Sequence, residues 1–132
     1  MKGFDILSSG MSAQRARLHT VSSNLANAHT TRTEDGGPYQ RRDPVFETML
    51  MGEDPDALGV RVAEVREDQS LGPLIHDPSH PDADADGNVR LPNVNVVEEM
   101  VDMMTASRSF EANTQAFQTL RDMVRDAIAL GR

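Results

Sequence analysis

The chain has 132 residues, no Cys, no Trp and a formal net charge of −8. That is the core of one small domain, closed to disulfides and thiolate metal sites. The acidic balance excludes phosphate-rich partners, which need clustered Lys and Arg, and disfavours anionic membrane surfaces. One Tyr leaves few aromatic anchors, and eight Met supply adaptable packing in their place.

Met1-Lys2-Gly3-Phe4-Asp5 puts an acid where a signal peptide would begin its apolar run, and Ser8-Ser9-Gly10 interrupts that run. A cleaved signal is therefore not expected, and no stretch has the length of a membrane-spanning helix. Instead Phe4, Leu7, Met11, Gln14, Leu18, Val21, Leu25 and Ala28 follow alternating spacings of three and four. That is a heptad seam with one polar break at Gln14, and it predicts an amphipathic helix over about 4–28. Asn27 or the polar run after it should end the helix, because Asn tolerates left-handed backbone.

The segment 30–93 reads differently from the ends at 1–29 and 94–132. Glu34-Asp35-Gly36-Gly37-Pro38, Gly52-Glu53-Asp54-Pro55 and Asp77-Pro78-Ser79-His80-Pro81 are turn formers. Short strands are expected at Val45–Leu50 and over 58–65, where Val60 and Val62 alternate with Arg61 and Ala63. Such strands need a packing partner, either the helices or neighbouring copies.

Asp82-Ala83-Asp84-Ala85-Asp86-Gly87 imitates the start of a calcium loop. Counted from Asp82, however, the twelfth position is Asn93 rather than a chelating Glu, and Pro78 and Pro81 exclude a preceding helix. The expected structure is an acidic turn whose side chains bond nearby N–H groups. His76 and His80 stand four apart, but Pro78 between them removes the helix that would aim both at one metal. No nucleophile elbow is present, and Gly36-Gly37-Pro38 lacks the Lys-Ser/Thr of a phosphate loop. No catalytic, cofactor or metal residue is assigned.

The last segment repeats the first at greater length. Met103, Ala106, Phe110, Asn113, Phe117, Leu120, Val124 and Ala127 again alternate three and four, with Asn113 as the polar break. Asn95 with Glu98 forms a candidate capping box after Pro92, and Gly131 stands where a C-cap belongs. A helix over about 96–130 would be roughly 50 Å long. The fold expected is mainly α: two long terminal helices packed as an antiparallel, coiled-coil-like pair around a small region of strands and turns. An ordinary intramolecular hairpin satisfies the two seams. They also suit ends that pack against other subunits, since thin apolar stripes gain most of their stability from packing. In Asn24-Leu25-Ala26-Asn27-Ala28 the small residues permit close helix contact and the two Asn can fix a register.

Three segments carry a resemblance. Ser23-Asn24-Leu25-Ala26-Asn27-Ala28 resembles the N-terminal signature of the flagellar rod and hook axial proteins. Asn95-Val96-Val97-Glu98-Glu99-Met100 with Ala106-Ser107-Arg108-Ser109-Phe110-Glu111-Ala112-Asn113 resembles their C-terminal one. Thr30-Thr31-Arg32-Thr33, Gly36-Gly37-Pro38-Tyr39 and the run from Asp77 to Gly87 resemble the proximal-rod type within that family. Many axial proteins carry a Gly soon after the N-terminal signature, where this chain has Arg32, which also favours the proximal-rod type.

The resemblance implies a non-enzymatic structural subunit of the basal-body rod, a periplasmic, torque-transmitting shaft reached through the flagellar type III apparatus. It implies as partners other rod proteins, copies of the chain itself, and the adaptor joining rod to membrane ring. The implied assembly residues are Leu7, Met11, Leu18, Val21, Asn24, Leu25 and Asn27 on the first helix. On the second they are Met103, Phe110, Asn113, Phe117, Leu120 and Val124. The alternatives are an acidic-loop metal-binding protein and a soluble helical export adaptor.

Overall fold

A computed structural model describes residues 2–131. The elements in order are α1 (Lys2–Ala26), β1 (Arg42–Leu50), β2 (Leu58–Glu67), β3 (Leu74–His76), β4 (Asn88–Arg90) and α2 (Val96–Leu130). The architecture is the expected one, two long terminal helices with a small antiparallel middle.

Both helices form where the apolar spacing placed them, and their ends differ from expectation in mechanism. Asn27 does follow the last residue of α1, but no non-Gly residue among those described has positive φ. The end is closed by Asn27 itself, whose backbone N–H and side-chain Nδ2 both donate to the Ser23 carbonyl, at 3.1 and 2.9 Å. At the start of α2, Asn95 accepts from the N–H groups of Val97 and Glu98, which satisfies two of the orphan donors there. Gly131 lies at φ −85°, so the helix ends without the left-handed turn.

The helices run antiparallel in a register that three close approaches define. A Cβ on Gly3 would lie 3.0 Å from Leu120 Cδ2, and one on Gly10 3.1 Å from Asn113 Nδ2; Asn24 meets Glu99. Phe4 and Phe117 pack edge to face with centroids 4.8 Å apart. The predicted seams are thus the contact line, with Val21 and Ala106 buried and Leu7, Met11, Leu18, Phe110, Phe117 and Leu120 half-buried. Because α2 is ten residues longer, the stretch after Leu120 runs past the start of α1.

β1 and β2 form a hairpin longer than the two apolar runs, reaching from the Arg42↔Glu67 pair to Leu50↔Leu58. The register shifts between Val45 and Phe46, where Ala63 is the extra residue opposite them, a bulge that bends and twists the ribbon. The hairpin lies across α1: Arg17 stacks over the Phe46 ring at 4.9 Å, and Ser9 Oγ accepts from the Val60 N–H. So α1 is packed on two sides, by α2 and by the hairpin. α2 packs on α1 and, through Glu99, on the loop before β1, and its backbone does not lie against the strands.

The second hairpin, β3 with β4, was not anticipated. It encloses the acidic turn, with Gly87 at φ 80°, where a Cβ would stand 2.9 Å from Pro78 Cγ. Only Gly serves that turn without strain.

Candidate functional site

The most enclosed polar residues of the chain lie where α1, α2 and the loop entering β1 meet. Asn24 and Glu99 are both 0 % exposed and Tyr39 is 7 % exposed. The seam brings Asn24 here, since it lies three residues after Val21 on the face between α2 and the hairpin. Its amide uses its full hydrogen-bonding capacity. Nδ2 donates to the Arg42 carbonyl at 2.8 Å and to Glu99 Oε2 at 3.1 Å. Oδ1 accepts from the Tyr39 hydroxyl at 2.9 Å and the Arg42 N–H at 3.0 Å. One side chain therefore joins three segments distant in sequence.

Glu99 would be costly to bury alone. Its other oxygen receives Arg41 Nε, and the Arg41 guanidinium also reaches Asp102 at 3.5 Å and Asp43 at 3.8 Å. Burial by itself would lower the Arg41 pKa; the hydrogen bond and charge of Glu99, helped by Asp43 and Asp102, more than offset it and hold the group above its ordinary value. Asn93 closes the other side, accepting from the Arg41 N–H at 2.7 Å and donating to the carbonyls of Asp68 and Ser70. The side chains of Asn24, Glu99 and Asn93 all bond other segments of the chain, so the hub is a structural joint.

The residues assigned to assembly divide in two. Leu7, Met11, Leu18, Val21 and Leu25 of α1 and Met103, Phe110, Asn113, Phe117, Leu120 and Val124 of α2 follow the seams, half-buried apart from Val21, which is buried. Asn24 belongs to the hub, and Asn27 caps α1 and accepts from Thr30 Oγ1. Sequence reasoning missed Glu99, Tyr39, Arg41 and Asn93. A signal existed for Glu99, which stands seven residues before Ala106, a charge on the apolar stripe.

The acidic turn is occupied with its own backbone. Asp84 Oδ1 accepts from the N–H groups of Asp86 and Asn88, both at 2.9 Å. Asp82 takes the Thr31 hydroxyl at 2.6 Å and pairs with Arg32 at 2.9 Å, tying the turn to the segment after α1. His76 bonds Asn88, while His80 Nδ1 accepts from the Asp82 N–H; the two imidazoles serve separate contacts. The Asp77 carboxyl lies below its ordinary range because the Ser79 hydroxyl bonds it. Among the described residues no group of three or more His, Asp and Glu is placed to hold a metal. Millimolar calcium is therefore expected to leave the melting temperature unchanged. A site filled to a hundred times its Kd would add about 2.7 kcal/mol. A rise that Asp84→Asn removes would contradict this account.

The chain is a long antiparallel helix pair closed by a buried polar hub, with the first hairpin against α1. Residues 4–32 match the family described as flagella basal body rod protein, and residues 85–130 the family described as flagellar basal body rod FlgEFG protein C-terminal. The chain belongs to the flagellar basal-body rod protein FlgC family. It is 43% identical to the FlgC of Borreliella burgdorferi over 96% of this chain and 93% of that one. With the FlgC of Aquifex aeolicus it shares 50% identity over 90% and 87%, and with that of Salmonella typhimurium 42% over 98% and 96%. The chain is thus a structural subunit of the basal-body rod and assembles with other rod components.

Proposed function

We propose that the chain joins the rod through its terminal helices acting as one axial unit, residues 1–29 with 94–132, while residues 30–93 form a separate outer module. The observation that carries this reading is the one-sided packing of α2. Val97, Met100, Val101 and Met104 form a stripe opposite the seam, 53–69% exposed, and Met123, Ile128 and Leu130 stand exposed past the start of α1. A helical shaft needs heterologous contacts between different faces of successive subunits, and these two patches are different faces. The seam residues from Leu7 to Leu25 and from Met103 to Val124 hold the pair in shape and meet neighbouring helices at its edges.

The partners in this reading are copies of the chain, other rod proteins and the adaptor joining rod to membrane ring. The chain reaches the periplasmic rod through the flagellar type III apparatus without a cleaved signal, and its role is mechanical, not enzymatic. Membership of the basal-body rod family supports these points.

Met104→Glu tests the proposal. The side chain is 57% exposed, so the single chain should melt as the parent does, while the variant is secreted yet missing from isolated basal bodies. Normal incorporation would remove the stripe from the assembly surface.

A further inference from the structure

The close approaches of α1 to α2 recur at heptad intervals. Gly3 meets Leu120, Gly10 meets Asn113 and Asn24 meets Glu99, so positions spaced by multiples of seven on α1 face positions spaced likewise on α2. A heptad seam by itself does not choose among registers a whole heptad apart. Here one such alternative is physically available, because α2 extends ten residues past Leu120. A slide of about 10 Å, seven residues at 1.5 Å each, would place Gly10 against Leu120 and Asn24 against Ala106. Phe4 would exchange Phe117 for Val124, and Met11 would take over Phe117. The slide in the other direction would carry Asn24 past the start of α2.

We infer that Glu99, held by Asn24 and Arg41 and seconded by Asn93, is a register lock that selects the observed pairing and keeps the last turns of α2 unpaired. Asn24 is bonded to both the N–H and the carbonyl of Arg42, so Asn24, Arg41 and Arg42 move with α1 and the hairpin as one body. On the α2 side the Glu99 carboxylate reaches that body at Asn24 and Arg41, and Asn93, two residues before the N-cap Asn95, reaches it at the Arg41 N–H; the half-exposed Asp102 adds a longer contact to Arg41 at 3.5 Å. In the slipped register Glu99 would lose Asn24 and Arg41 together, and its carboxylate would have no partner. Fixing register in a largely apolar seam is the best attested use of a buried polar group.

The chain has no native Cys, so engineered pairs report register without interference. Gly10→Cys/Asn113→Cys reads the observed pairing and Gly10→Cys/Leu120→Cys the slipped one. With the lock intact, mild oxidation should close the 10–113 pair alone. In Asn93→Ala/Glu99→Ala, which leaves the Asn24 bonds to Arg42 in place, crosslinking should shift to include the 10–120 pair. If that background fails to fold by circular dichroism, Asn93→Ala/Glu99→Met fills about the same space without an oxygen to accept from Asn24 or Arg41 and is read the same way. Crosslinking confined to 10–113 in the folded lock variant, or a 10–120 bond formed equally well by the intact lock, would overturn the inference.

Discussion

Arg41→Ala is expected to lower the unfolding free energy by about 3–5 kcal/mol, the range for removing one partner of a buried ion pair. Glu99 is 0 % exposed, and without Arg41 its carboxylate keeps only the Asn24 amide. A small domain has about 5–15 kcal/mol in all, so the loss would show as a large fall in the urea midpoint. Arg42→Ala is the control. That side chain is half-exposed; its pairing with Glu67 spans 3.5 Å and its guanidinium lies 5.8 Å over the Tyr39 ring, contacts worth under about 1 kcal/mol each, and its backbone bonds to Asn24 survive. Equal effects at the two positions would mean that the Arg41–Glu99 pair has no special weight.

Phe117→Asp is expected to abolish swimming. Phe117 closes edge to face on Phe4 near the far end of the pair from the hub, and the substitution removes roughly 1.5–3 kcal/mol of apolar burial while placing a charge on the seam. Repeated at each copy in the rod, the loss should leave cells that make and secrete the protein but build no rods. Asp84→Asn should swim, because an amide oxygen can still accept from the Asp86 and Asn88 N–H groups. Secretion must be measured separately, since failure to export would also stop motility. Swimming Phe117→Asp cells together with immotile Asp84→Asn cells would reverse the assignment of assembly to the helices.

The helices were legible because their seams persist for many turns, and periodicity over such lengths survives local irregularities. β1 and β2 were legible from their apolar runs, including the ends at Leu50 and Leu58 that meet at the turn, but not at the open end of the ladder. Arg42, Asp43 and Glu67 belong to the ladder for reasons of pairing that no alternation announces. β3 and β4 have three residues each, too few to show a period, and the turn formers around them concealed the hairpin. The hub was half legible. Asn24 stood out for its small neighbours; Glu99 was missed although it continues the apolar stripe, and Tyr39, Arg41 and Asn93 enter the hub only through the path of the folded loop. In the acidic turn the bonding of Asp side chains to nearby N–H groups was legible, because it is local.

The hub also sets when the molecule can become itself. Its members come from positions 24, 39–42 and 93–99, and its central hydrogen bond spans 75 residues of chain. Contacts of such separation are closed late, since the loop entropy must be met before they contribute. A chain emerging N-terminus first can join Asn24 to Tyr39 and Arg42 early, but Glu99 is added only when three quarters of the sequence has appeared. Until then α1 has the first hairpin on one side and no helix on its seam, and a helix short of packing is marginal in water. The fold is therefore timed by its last element: the arrival of α2 converts a loose leader into a closed joint.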